Sequence, residues 1–228
     1  PSAPDMLAGS WDFEDTRGYS ATDASGCGND GELFASWAKG KFGSAIYCDA
    51  AAPHISIPDS PSLHLGTSDF SIALWICPTE LSIASTDPRR RFISKGTRDT
   101  WWNLNLTSDG KPFIELRDSN KTMCSKRPAG SIPQNAWSHL AIVVDRAHRK
   151  IRYYFNGTPD SALDIPPSFS GHLDVPNGDL TIGSQWQPFI GLLDDVKLYR
   201  RALTEDDVRA AFIAGKTRHD TTAYQILE

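Results

Sequence analysis

The segment FIGLLDDVKLYRRALTEDDVRAAF, residues 189–212, carries two carboxylate pairs, Asp194/Asp195 and Asp206/Asp207, on either side of an apolar run. Paired carboxylates can supply the acid and nucleophile of glycoside cleavage, if held a defined distance apart, or oxygens for a hard cation. The context of each pair decides between these chemistries and a structural role. In ALTEDDVRAAFIAGK, Thr204 suits an N-cap, Glu205, Asp206 and Asp207 lie in the first turn at the positive end of the macrodipole, and Leu203 can staple to Val208. Asp206 and Asp207 are therefore expected to start a short helix that Gly215 closes. Asp194 and Asp195 are neighbours in a strand pattern, so their side chains should point to opposite sheet faces and form no glycosidase pair by themselves.

Other reactive residues are equally scattered. The six histidines, His54, His64, His139, His148, His172 and His219, show no metal-ligand spacing and no Gly-x-Ser-x-Gly context. Cys27, Cys48, Cys77 and Cys124 lack any C-x-x-C spacing. They are read either as buried thiols acting as small hydrophobes or as one or two disulfides of an exported protein. Formal net charge is −5 and the basic residues are dispersed apart from Arg89, Arg90 and Arg91, a pattern that argues against nucleic acid. That run, after Asp87-Pro88, is most simply a solvated loop and could otherwise reach an acidic sugar. No apolar stretch approaches the length of a membrane span. The start, PSAPDML, has no charged-then-apolar signal, so the chain is expected to be a mature or excised piece.

The 28 acids divide into 22 Asp and 6 Glu, a bias towards turns and caps. Between such turns lie eleven strand candidates: SWDFED, SAIYCDA, HISIPD, FSIALWICP, FISKG, WWNLNLTSDG, PFIELRD, SHLAIVVD, KIRYYFNG, DLTIGS and LLDDVKLY. Their number and length predict an all-β antiparallel sandwich. Hairpins are marked at Asp109-Gly110 and at Arg146 to Arg149. One domain over 1–215 followed by a tail or linker over 216–228 is the simplest organisation. The sequons at Asn105, Asn120 and Asn156 matter only in a eukaryotic secretory host.

In order, WDFED, DASGCGNDGEL, GKFGSAIYCD, HISIPDSPSL, FSIALWICPT, ISKG, NLNLTSDGKPFIEL, WSHLAIVVD, YFNG, LTIGS and FIGLLDDVKLYRRALTEDDV resemble the laminin G-like, concanavalin A-like lectin/glucanase family, particularly its bacterial modules attached to carbohydrate-active enzymes. The resemblance covers roughly residues 8 to 214. It implies a two-sheet antiparallel jelly roll with one short C-terminal helix, in which Trp11, Phe13, Trp75, Trp137 and Leu198 are core residues. The β-glucan hydrolases of that superfamily carry an E-x-D-x-x-E strand, which none of the six Glu begins, and the motifs of the similar lyases are likewise missing.

A non-catalytic carbohydrate-binding module fits better, since such sites need aromatic faces for sugar rings and polar groups for hydroxyls. Candidates outside the implied core are Trp101, Trp102, Asn103, Asn105, Glu115, Arg117, Tyr154 and Trp186. In WWNLNLT, Trp101, Asn103 and Asn105 should share one face, and the hairpin should bring Glu115 and Arg117 beside them. The plainer alternative is a solvated face with an ordinary ion pair, with Trp186 capping the core. The resemblance also implies one structural calcium ion, with Asp15, Asp23, Asn29, Asp49 and Asp194 as candidate ligands. Equally, Asp194 would bond loop amides while Asp23 and Asn29 make turns. The expected partner is a polysaccharide or oligosaccharide, with an attached catalytic domain in a longer secreted or surface protein and the module itself monomeric. The alternatives are a protein-adhesion or spacer module and, third, a hydrolase or lyase.

Overall fold

The computed structural model describes residues 6–51, 54–81 and 89–224, with side chains as far as Gly215. Asp87-Pro88 and the last four residues of the expected tail lie outside the described residues. The chain forms β1 (Leu7–Trp11), β2 (Ser20–Ala21), β3 (Gly31–Phe34), β4 (Ser36–Lys39), β5 (Ser44–Cys48), β6 (His54–Ile57), β7 (Phe70–Glu80) and β8 (Arg90–Gly96). There follow β9 (Trp101–Leu106), β10 (Pro112–Arg117), β11 (Met123–Lys126), β12 (Ser138–Asp145), β13 (Lys150–Phe155), β14 (Thr158–Asp164), β15 (Leu180–Gly183), β16 (Ile190–Tyr199) and helix α1 (Glu205–Tyr224). All eleven expected segments contain strands. The five others, β2, β3, β4, β11 and β14, are short or polar.

Two antiparallel sheets face each other. One runs β14-β13-β12-β7-β16-β5-β4, with β1 also paired to β16; the other runs β11-β10-β9-β8-β15-β6-β3-β2. Alternation along each strand turns one row inward. From the first sheet come Phe70, Ile72, Leu74, Ile76, Leu140, Ile142, Val144, Ile151 and Tyr153, and from the second Ile55, Ile57, Trp102, Leu104, Ile114, Leu116 and Ile182. Each such large side chain removed from water contributes roughly 1.5–3 kcal/mol, which commits the opposite rows to the outside.

The first sheet is covered on its outer face as well. Helix α1 and the segment before it pack Leu203 and Val208 onto Ala73, Ala141, Val143, Tyr154 and Tyr199. The N-terminus of α1 closes as the sequence suggests: the Asp207 amide donates to Thr204 Oγ1 at 3.1 Å, and the Thr204 amide donates to Asp207 Oδ2 at 2.8 Å. Arg201 adds an ion pair to Asp207 at 2.6 Å.

Three expectations change here. Gly215 does not stop the helix, which continues to Tyr224; it lies where the helix comes close to the Trp75 and Phe42 side chains. A Cβ at Gly215 would lie 2.9 Å from Trp75 Nε1 and 3.0 Å from Phe42 Cζ. Trp75 is buried, but beneath α1 rather than between the sheets, stacked on Phe212 with 5.7 Å between ring centroids. Trp137 is only half-buried, whereas Trp11, Phe13 and Leu198 are core residues. The four cysteines are free, three of them buried, as the small-hydrophobe reading anticipates.

Alanine for a mid-helix glycine ordinarily stabilises by roughly 1 kcal/mol. At Gly215 the overpacking against a buried indole, about 1–3 kcal/mol, is expected to win. Gly215→Ala should therefore lower the thermal melting midpoint and speed amide exchange along α1.

Candidate functional site

The outer face of the second sheet is built by register. Pairing sets Ser125 beside Glu115, Glu115 beside Asn103, and Asn103 beside Ser94. The row continues through Thr181 and Ser56 to Glu32 and Ser20. One polar residue from each of eight strands thus forms a row across the sheet, because each is the outward partner of an inward apolar neighbour. Ser94 and Thr181 hydroxyls lie 2.7 Å apart, and Ser56 donates to Asp179 at 2.9 Å.

Midway along the row, over Ser94 of β8 and Asn103 of β9, is a cleft of about 300 Å³ lined by Arg89, Arg91, Ser94, Gly96, Thr97, Arg98, Trp101 and Asn103. The Asp109-Gly110 hairpin, with Gly110 at φ 75°, sets β9 against β10 and brings Arg117 opposite Trp101. Arg117 Nη1 donates to the Arg98 carbonyl at 2.9 Å, bracing the β8–β9 turn. Arg89 reaches Glu115 at 3.5 Å, and Arg91 donates to Gln187 at 3.1 Å. The latter contact fixes the β15–β16 loop that displays Trp186, which is 86% exposed.

Of the expected sugar-site residues, the structure gathers Trp101, Asn103, Glu115 and Arg117, with Trp186 on the adjoining loop. Asn105 belongs to the same face but is fully buried and donates to Glu115 at 3.2 Å, so it positions that carboxylate rather than meeting a ligand. Trp102 lies in the core against Phe70, because alternation turns it inward. Tyr154 lies under α1 on the other sheet. Sequence reasoning left Ser94 and Arg98 out of the site and treated Arg89 and Arg91 chiefly as a loop; the alternation of FISKG was the available signal for Ser94.

The calcium candidates do not converge. Asp23 uses one carboxylate oxygen for the amides of Ser10 and Ser25 and the other for the Asn29 amide and the Ser25 hydroxyl. Burial alone would raise the Asp23 carboxyl, but these bonds outweigh it and hold it below its ordinary value. Asn29 donates to the Ala8 carbonyl and accepts from Ser60. Asp15 takes the Thr22 amide and hydroxyl, and Asp49 takes the Ala51 amide. Among the described residues no group of three or more His, Cys, Asp or Glu is placed to hold a metal ion. The residues present do not fit a calcium cage, since their oxygens are committed to separate turns. Thermal melting is accordingly expected to be the same with EDTA and with added calcium.

Asp194 and Asp195 occupy a β-bulge in β16 where the pairing register shifts before Lys197, and Asp195 adopts φ 47°. The bulge changes the simple alternation expected of the pair: Asp195 is buried and binds Lys197 at 2.8 Å. Asp194 accepts the Phe42 amide at 3.0 Å, anchoring the β4–β5 turn as the loop-anchoring alternative proposes. Burial pushes its carboxyl up to about 7, against the Phe42 bond and with a further push from Asp195. Beside it in register come Trp75 and then His139, whose imidazole burial pushes down to about 4. A carboxyl titrating near neutrality beside a second carboxylate would suit a glycosidase acid. Asp194 is 0% exposed beneath Phe42 and Trp75, which leaves it out of a substrate's reach.

A Laminin_G_3 profile, described as the concanavalin A-like lectin/glucanases superfamily, matches residues 49–209. The chain belongs to this laminin G-like family. Human usherin is 23% identical over 171 residues, which span 69% of the chain and 3% of usherin. Among solved structures, domain 4 of an extracellular arabinanase from Geobacillus stearothermophilus, in complex with arabinotriose, has a TM-score of 0.68 at 21% identity, covering 90% of this chain and 97% of that one. The binding domain of Paraclostridial mosquitocidal protein 1 has a TM-score of 0.75 at 20% identity, covering 91% of this chain and 52% of that one. The botulinum neurotoxin serotype D ligand-binding domain, in complex with N-acetylneuraminic acid, also scores 0.75, at 15% identity and covering 93% and 52%. The laminin G-like chain thus spans about half the length of these toxin domains. Its structural neighbours are binding domains.

The opposed pKa shifts predict a pH signature. Between about 4 and 7 the folded protein keeps a proton on Asp194 that the unfolded chain has released, so this group lowers stability as pH rises through that window. Between about 4 and 6.5 the unfolded chain holds a proton that His139 lacks, so His139 raises stability with pH. Asp194→Asn removes the first effect only. Denaturant midpoints measured from pH 4 to pH 7 should rise more steeply with pH in the variant than in the parent protein.

Proposed function

We propose that this laminin G-like domain is a non-catalytic carbohydrate-binding module and that its ligand lies on the outer face of the second sheet. The observation that carries the reading is the in-register polar row crossing the cleft beside Trp101. Hydroxyl and amide groups from Ser94 and Asn103 can bond sugar hydroxyls, and the half-buried indole of Trp101 offers an apolar face for a ring. Trp186 extends that apolar surface from the rim. The sugar complexes of the arabinanase domain and the serotype D toxin domain support the reading through a shared fold.

The four carboxylates at residues 194–207 support it from the other side. Asp207 caps a helix, Asp206 is an exposed first-turn residue, Asp195 binds Lys197 and Asp194 anchors a turn. These assignments favour binding over bond cleavage. The large exposed apolar side chains, Met6, Tyr19, Phe34, Met123, Trp186 and Ile213, sit on separate elements, which favours the sugar reading over a broad protein-adhesion patch. A module of this kind belongs in a secreted or surface protein, beside a catalytic domain. No helix among the described residues is long and apolar enough to cross a membrane.

Isothermal titration against oligosaccharides selected from a broad glycan array tests the proposal. Trp101→Ala should weaken binding about tenfold, equivalent to about 1.4 kcal/mol, with Trp186→Ala acting in the same direction. Tyr154→Phe, altered on the other sheet, should leave affinity unchanged. An array with no saccharide bound would overturn the assignment.

A further inference from the structure

Two clefts of opposite charge lie along the polar row, one over β8 and β9 and the other at the β6–β3–β2 end. Among the described residues, the cleft beside Trp101 is lined by three guanidinium groups, from Arg89, Arg91 and Arg98, and the Glu115 carboxylate, next in the row after Asn103, meets Arg89 at 3.5 Å. Two strands further along the same face, a second cleft of about 340 Å³ is lined by Asp30, Glu32 and Asp179, with Tyr19, Ser20, Ser56 and Pro58, and by no basic side chain among the described residues. Ser94 lines the first cleft and Ser56 the second, and both pair in register with Thr181 between them. Neighbouring strands lie about 4.8 Å apart, so one chain of a few sugar units laid across the strands reaches both clefts over these three hydroxyl residues. Tyr19, 84% exposed, offers the second cleft its own aromatic face.

We propose that the two clefts form one track for an oligosaccharide carrying a carboxylate at one end and neutral hydroxylated units along the rest. The proposal rests on the glycan-binding reading of this face and adds the ligand's charge and direction. Guanidinium groups match the planar geometry of a carboxylate and form charge-assisted hydrogen bonds with it. Carboxylates of Asp30, Glu32 and Asp179 accept hydrogen bonds from sugar hydroxyls and repel a second acidic unit, which adds specificity through exclusion. A uniformly anionic polymer meets attraction in the first cleft and repulsion in the second. Arg98 comes from an exposed turn whose backbone Arg117 braces, so its side chain can be removed without dismantling the cleft.

The test is an array of oligosaccharides in pairs, each neutral chain beside the same chain ending in a hexuronate, with heparin and polygalacturonate as uniform polyanions. At least one acid-ended chain should bind tenfold or more tighter than its neutral twin. Arg98→Ala should reduce that preference severalfold, whereas Tyr154→Phe on the other sheet should leave both affinities unchanged. Glu32→Gln combined with Asp179→Asn should admit polygalacturonate, which the parent protein binds more weakly than the acid-ended chain. Equal binding within every pair, still weakened by Trp101→Ala, would sink the charge assignment and leave the glycan-binding reading standing. Tightest binding to heparin, insensitive to Trp101→Ala, would also overturn it. Silence across the whole array would remove both.

Discussion

The apolar seam between the two sheets governs the direction of the other side chains in the strands. Once Trp102, Leu104 and Leu106 turn inward from β9, Trp101, Asn103 and Asn105 have no choice but the outer face. The same rule acts on β10, β8, β15, β6 and β3, and antiparallel pairing then aligns their outward residues into one row. The row is a consequence of core burial: shifting a strand by one residue would exchange its apolar and polar sets. Its hydroxyls and amides are held by strands packed on both edges, so a ligand meets groups already ordered for it.

That rule also explains what could be read from the chain and what could not. Strands with a strong apolar row, such as FSIALWICP and SHLAIVVD, were legible because burial imprints itself on composition. β14, TPDSALD, was not, because it is an edge strand that is mostly exposed and carries no comparable row. The polar face of β9 followed from alternation alone, and alternation should equally have excluded Trp102 from it. Tyr154 misled because the outer face of the first sheet, ordinarily the wet one, is dry here. Gly215 misled for the same reason: its missing side chain reflects a close approach between helix and sheet, which a cap rule cannot distinguish from a helix stop.

The bulge in β16 is where several demands meet. One edge of that strand pairs with β7 along most of its length; the other serves β5 over Gly191–Leu193 and β1 over Val196–Tyr199. The change of partner coincides with Asp194 and Asp195. An irregularity there lets Asp194 secure the β4–β5 turn while Lys197 neutralises Asp195. A buried carboxyl with a strongly raised pKa is ordinarily a mark of a functional site. Here desolvation beneath α1 accounts for the shift without one, and the cost is tolerated because the same carboxylate ties a distant turn to the last strand.

Under the proposed reading, helix α1 is what directs the ligand to the second sheet. By covering Ala73, Ala141, Val143 and Tyr154, it turns the first sheet into the middle layer of three and buries its aromatic and titratable residues. The second sheet keeps an outer face with two clefts, one lined by Arg89, Arg91 and Arg98 and the other by Asp30, Glu32 and Asp179. The different linings of the two clefts give the row a direction. A ligand that is itself polar from end to end, and short enough to lie across a few strands, can exploit such a direction, whereas a uniform polymer cannot.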